Sequence, residues 1–176
     1  MNPKSRIIFS NQDIQKRISS IAENLNDFYK NQEDIVIIGV LNGCFMFMSD
    51  LLKKINFKCE IDFVKISTYK NNFKPVNDPS LKYDNFIDLK NKNLIIIDDI
   101  VDSGKTIKYL KKYFNRFSPN EIKTCCLIIK DDKFSDIDWI GFNFSGNFIY
   151  GYGMDYMSQF RNLDSIYEVE DTNEKK

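Results

Sequence analysis

The residues best placed to do chemistry in this chain are Asp98, Asp99 and Asp102, followed at once by Ser103-Gly104-Lys105-Thr106. They come after the apolar run Leu94-Ile95-Ile96-Ile97, where a buried strand ends and a helix face marked by Ile107, Leu110, Phe114 and Phe117 begins. A helix start leaves its first backbone N–H groups unpaired, so with the Ser103 and Thr106 hydroxyls this turn suits a phosphomonoester. Gly104 lets the backbone approach closely. Gly-Lys-Thr also ends the common nucleoside-triphosphate loop, but that pattern needs a glycine five positions before Gly104, where Asp99 stands. Three carboxylates beside a phosphate would repel it unless they act otherwise. Asp98 and Asp99 can accept from sugar hydroxyls or hold hydrated magnesium, while Asp102 stands over a reacting carbon. The plainer reading, a strand ending in solvated acids with Asp102 as an N-cap, leaves the rest of the arrangement unexplained.

Composition limits the rest of the chemistry. The chain of 176 residues has no histidine, which removes Ser-His-Asp and Cys-His nucleophiles, histidine zinc sites and the usual general base. Catalysis is left to carboxylates, lysine, tyrosine, backbone dipoles or an oxygen-bound metal. The 25 basic and 25 acidic residues cancel, so no net field draws in nucleic acid or an anionic membrane. Cys44, Cys59, Cys125 and Cys126 form no CxxC pair, and the adjacent pair reads as core. With no apolar leader and no membrane-length run, a cytoplasmic protein is expected.

The apolar spacing supplies elements to hold the acids. Residues 10–30 predict a helix, with Ser10 and Asp13 as a capping pair and Ile14, Ile18, Ile21, Leu25 and Phe28 on one face. Residues 35–40 predict a buried strand. A helix at about 44–55 carries Phe45, Met48, Leu51, Leu52 and Ile55, and a strand at about 59–66 sets Ile61, Phe63 and Lys65 against Asp62 and Val64. Residues 67–92 are polar and irregular, as a lid or disordered segment is. Further strands are expected at 122–129, 138–142 and 147–151. Continuous apolar strands alternating with helices predict one α/β domain over 1–176 with a mainly parallel, doubly wound sheet. Ligands bind beyond the carboxyl ends of such strands. That points to Leu41-Asn42-Gly43, to 98–106, to 130–134 and to 151–155.

The segment from Leu94 to Thr106 resembles the phosphoribosyl-pyrophosphate signature of the type I phosphoribosyltransferases. Three further segments resemble their hypoxanthine-guanine branch. Val40-Leu41-Asn42-Gly43, with the helix from Phe45 to Leu51, is similar to its pyrophosphate loop. Leu127-Ile128-Ile129-Lys130 is similar to the strand carrying its purine-contacting lysine. Phe148 to Tyr156, with Phe160-Arg161-Asn162-Leu163, is similar to its C-terminal signature. The order is the family's, across about residues 35–167.

The resemblance implies a type I fold with a small hood from the N- and C-terminal segments, and transfer of a phosphoribosyl group to a 6-oxopurine base with magnesium. It implies that Asp98 and Asp99 hold ribose hydroxyls and metal, that residues 102–106 (Asp102, Ser103, Gly104, Lys105, Thr106) cradle the 5′-phosphate, and that Asp102 exchanges a proton at purine N7. Lys130 would meet the 6-oxo group, Phe148 stack on the base and the Ile149 backbone read its edge. Asp155 would border the base and bind a second magnesium. Leu41, Asn42 and Gly43, with a non-proline cis peptide, and Arg161 would bind pyrophosphate. A lid would begin at Thr68 and Tyr69, and the chain would form a dimer or tetramer with the helix after Gly43 near the contact. Two features depart from the family: Asn42 where a basic residue is common, and Asp131-Asp132 after Lys130. An RNA-binding regulator on the same scaffold would show a basic face and another turn after the acids; a xanthine- or adenine-preferring transferase is the nearer alternative.

Overall fold

The protein is described by a computed structural model over residues 3–67, 80–82, 87–130 and 136–170. The first element is strand β1 (Ser5–Phe9), followed by helix α1 (Asn11–Tyr29). The expected cap starts α1: Ser10 Oγ accepts from the Asp13 amide at 3.2 Å, and the Asp13 carboxylate accepts from the Ser10 amide at 3.1 Å. Ile14, Ile18, Ile21 and Leu25 are buried as the spacing predicts. Phe28 is exposed instead, and the stripe closes with the buried Tyr29, four residues after Leu25.

Strands β2 (Ile35–Leu41), β3 (Cys59–Ser67), β5 (Asn93–Val101), β6 (Glu121–Ile129) and β7 (Trp139–Asn143) form a parallel sheet, with β4 (Ser80–Lys82) antiparallel on the β3 edge; the order is β4-β3-β2-β5-β6-β7. Side chains alternate across a strand, and both faces of this sheet are covered. Ile35, Ile37, Ile95 and Ile97 join the core under α1 and helix α2 (Phe45–Leu52), while Val36, Ile38, Val40, Leu94 and Ile96 join the one under helix α3 (Lys105–Phe114). Central strands buried on both faces therefore read as unbroken apolar runs.

The second hood sheet joins the two ends of the described chain. β1 pairs antiparallel with β9 (Ile166–Val169), which pairs with β8 (Ile149–Tyr150). Among the described residues no helix is long and apolar enough to cross a membrane.

Three sequence expectations change. The stripe of α2 is Phe47, Met48 and Leu51, and Phe45 is exposed. On β3 it is Val64 that is buried, and Ile61 and Phe63 face outward, because β3 is covered by protein on only one face there. Within 67–92, β4 extends the main sheet, Leu89 is buried, and Thr68, Tyr69 and the rest of 68–79 and 83–86 lie outside the described residues.

β2 connects through α2 to β3 on one side, and β5 connects through α3 to β6 on the other, with the two helices on opposite faces. The carboxyl ends of β2 and β5 lie side by side where the winding reverses, and a crevice opens there.

Candidate active site

The crevice is a cleft of about 320 Å³ lined by residues from all four predicted junctions, Asn42, Asp99, Asp102 and Lys130 among them, and also by Phe148 and Arg161. Gly43, Ile149 and Asp155 also line it. Ile100 and Met154 complete the wall; both lie in apolar or turn contexts that gave sequence reasoning no reason to single them out.

The floor is set by how closely backbones pack. The Leu41–Asn42 peptide is cis, and Gly43 follows it. A methyl group on Gly43 would lie 1.8 Å from Asp99 Oδ2, and one on Gly153 would lie 2.0 Å from the Gly43 carbonyl oxygen. The loop after β2 is thus pressed between the Asp99 carboxylate and the turn after β8. Gly153 has φ +98°, a backbone region that favours glycine.

Asp98 and Asp99 are 5% and 9% exposed. Asp98 Oδ1 accepts from the Asp99 amide at 3.0 Å, which turns it away from the cleft while Asp99 lines it. Burial, then the neighbouring Asp99 charge, pushes Asp98 well above the ordinary carboxylate range. Burial also raises Asp99, against hydrogen bonds and the positive charge of Arg161.

Arg161 donates to the Gly153 carbonyl at 2.7 Å and to Asp155 Oδ1 at 2.5 Å, and the other Asp155 oxygen accepts from the Ser158 amide at 2.8 Å. The residues expected to grip pyrophosphate and to bind a second metal are therefore paired with each other. A ligand must recruit Arg161 through its remaining N–H groups or displace Asp155.

At the other end of the cleft Lys130 donates to the Asn147 carbonyl at 3.2 Å, and the Asn147 amide donates to Glu168 at 2.9 Å. Glu168 also accepts from Arg6 Nε at 2.9 Å and Nη2 at 2.7 Å. The Asn147 amide and Arg6 hold its carboxyl below the usual range. The hood sheet thereby fixes the turn that presents Phe148, a residue 53% exposed in the cleft wall.

Not every expected residue reaches the cleft. Ser103 belongs to the neighbouring turn, and Lys105 and Thr106 to the start of α3. Gly104, at φ 65°, starts α3 there and no side chain caps it. Leu41 does not line the cleft, and Asp131 and Asp132 are outside the described residues.

The carboxylate oxygens of the cleft and its buried acidic pair fit a hard divalent cation. Among the described residues no three carboxylates or thiols converge, so such an ion would take its remaining ligands from water and substrate oxygens, as magnesium commonly does.

The profile of the phosphoribosyl transferase domain matches residues 5–156. The hypoxanthine phosphoribosyltransferase of Haemophilus influenzae is 31% identical over 168 residues, covering 93% of this chain and 94% of that protein. The hypoxanthine-guanine phosphoribosyltransferase of Dictyostelium discoideum is 31% identical, with 97% and 98% covered. The crystal structure of a hypoxanthine-guanine phosphoribosyltransferase from Bacillus anthracis superposes with a TM-score of 0.86 at 31% identity, covering 96% of this chain and 100% of that one.

The raised Asp98 pKa predicts how stability varies with pH. The native pair favours the protonated acid, so that contribution is complete below the ordinary carboxylate pKa and is lost as pH rises through the raised native value. Asp98→Asn removes the charge and keeps an acceptor for the Asp99 amide. In chelator the variant is expected to melt with wild type at about pH 4 and about 3–8 °C above it at about pH 8. A variant that melts at or below wild type at the higher pH contradicts the electrostatic account.

Proposed function

Because this chain belongs to the phosphoribosyl transferase family, we propose that it is a cytoplasmic purine-salvage enzyme that joins hypoxanthine, and guanine, to the phosphoribosyl group of phosphoribosyl pyrophosphate. The observation that carries this reading is the lining of the cleft, where a donor-only lysine and an open aromatic ring at one end face an arginine, a backbone loop and acids at the other. Such a cleft suits a flat base with a carbonyl edge beside a highly phosphorylated sugar.

Lys130 offers donors and no acceptor, so it pairs with a 6-oxo group and not with a 6-amino group. Phe148 stacks on the ring, and the Ile149 backbone meets its edge. The turn from Asp102 to Thr106 holds the 5′-phosphate. Asn42, Gly43 and Arg161 hold pyrophosphate; Asn42 does so without a charge, leaving Arg161 as the cation of that set. Asp99 and, once freed from Arg161, Asp155 are the groups facing the cleft that could hold magnesium or its waters, with Asp98 backing Asp99 from outside it, and the ion when bound would neutralise the charge of the pyrophosphate.

The base nitrogen forms its bond to the anomeric carbon as the bond to pyrophosphate oxygen breaks. Positive charge develops on the sugar ring, where carboxylates stabilise it, and Arg161 takes up negative charge on the leaving group. Asp102, exposed beside the cleft, accepts the N7 proton as the nucleotide forms. Water would compete for the anomeric carbon, and the resemblance supports a cover beginning at Thr68 and Tyr69. The same resemblance supports a dimer or tetramer with α2 near the contact.

Asp102→Asn is expected to lower kcat by about 10²–10⁴-fold, the range for a lost acid–base group; nucleotide formation within threefold of wild type would remove Asp102 from the reaction. The base assignment is checked by a panel of purines with phosphoribosyl pyrophosphate. A site built around one hydrogen bond strands a polar group when the wrong partner enters, so kcat/KM for hypoxanthine should exceed that for adenine by at least about 10³. Lys130→Met should narrow the gap by losing hypoxanthine activity. Comparable wild-type rates with adenine would overturn the 6-oxopurine reading.

A further inference from the structure

Outside the cleft, one buried polar contact connects the two segments that form its pyrophosphate end. Tyr152 is fully buried, and its hydroxyl donates to Asp50 Oδ2 at 2.6 Å. Asp50 lies on α2, the helix that follows the Asn42-Gly43 loop, and Tyr152 lies between Gly151 and Gly153 in the turn pressed onto that loop. The same Asp50 oxygen accepts from Gln15 at 2.7 Å, and the other accepts from Lys53 at 2.8 Å. Burial works against the Asp50 charge, but the hydrogen bonds from Lys53, Tyr152 and Gln15 prevail and hold its carboxyl below the ordinary range. The acceptor is therefore held in its ionised form.

The backbone around Tyr152 needs an external anchor. Gly151, Tyr152 and Gly153 all have positive φ, at 94°, 49° and 98°. A tyrosine adopts that region only where its surroundings impose it. The turn is closed by Gly151 N to Met154 O, Tyr152 N to Leu163 O and Gly153 N to Arg161 O, each at 2.9 Å. Among the described residues, only the Tyr152 hydroxyl ties the turn by a hydrogen bond to the helix beneath the loop.

We propose that Tyr152 is a positioning residue for the pyrophosphate end of the cleft: its bond to Asp50 registers the turn holding Arg161 against the Asn42-Gly43 loop, and so sets affinity for pyrophosphate without touching it. The proposal rests on the pyrophosphate reading of that loop. A side chain that only stabilised the fold would change both substrates alike or neither. A registering side chain changes the pyrophosphate-bearing one alone, because Lys130 and Phe148 are held separately through Asn147 and Glu168.

The test compares Tyr152→Phe with Tyr29→Phe, which removes another core hydroxyl, one with no hydrogen-bond partner among the described residues and no place in the cleft. Tyr152→Phe should raise KM for phosphoribosyl pyrophosphate about 5–10-fold, the scale of one lost hydrogen bond, with KM for hypoxanthine within about twofold and Tyr29→Phe unchanged in both. Should Tyr152→Phe not fold, Asp50→Asn, which keeps an acceptor, and Asp50→Leu, which removes it, carry the comparison: near wild type for the first and the selective rise for the second. An unchanged KM for phosphoribosyl pyrophosphate, or an equal rise for both substrates, overturns the proposal. Wild type forming no nucleotide would sink the functional reading instead. Calorimetric titration with magnesium pyrophosphate then still decides the inference: a 5–10-fold weaker Kd in Tyr152→Phe supports it and an equal Kd refutes it.

Discussion

The site depends on a steric constraint at two glycines. The backbone at Gly43 is held between the Asp99 carboxylate and the backbone at Gly153, with space for a Cβ at neither glycine. This stack joins three elements far apart in sequence: the end of β2, the end of β5 and the turn after β8. Their apolar packing brings them near one another, but it does not fix their register to a fraction of an ångström. Backbone contact does, and it places the cis peptide, the acidic strand end and Arg161 around one cleft.

The electrostatics act against the fold. Burial raises the cost of ionising both adjacent acids, the Asp99 charge raises it further for Asp98, and Arg161, the cation acting on Asp99, is shared with Asp155. A design for stability alone would replace Asp98 with a neutral residue. The strain is explicable if the pair awaits a cation and sugar hydroxyls, since sites that bind charge commonly give up stability for function. The ion pair of Arg161 with Asp155 has a related use, because it keeps both groups near the cleft until a more highly charged ligand competes for the arginine.

The parallel sheet, its two covering helix layers and the four junctions were legible because they are local patterns: apolar runs, helical spacing and a glycine-punctuated acidic turn. The capping pair of Ser10 and Asp13 was legible for the same reason. Errors arose where the answer is set by neighbours in space. Phe28, Phe45, Ile61 and Phe63 are apolar yet face outward, because helix phase and the position of β3 near the sheet edge are tertiary facts. The hood strand β1 was not legible as an element, since it needs β9 from the other end of the chain. Within the site, Asp98 and Asp99 look equivalent in sequence and differ in structure, one accepting from a backbone amide outside the cleft lining and one facing the cleft. The pairing of Arg161 with Asp155 and the bond from Tyr152 to Asp50 have no sequence signature, because each depends on how a turn closes.

The most direct measurement of the stacked-backbone account is calorimetric binding of phosphoribosyl pyrophosphate with magnesium to wild type and Gly43→Ala, with far-UV circular dichroism recorded on both. The added methyl group forces Asp99 or the loop to move, so the account predicts a wild-type spectrum with binding weakened by about 100-fold, the scale of a lost loop contact together with a displaced acid. Binding within threefold of wild type would show that the cleft does not depend on the contact between Gly43 and Asp99, and would contradict the account.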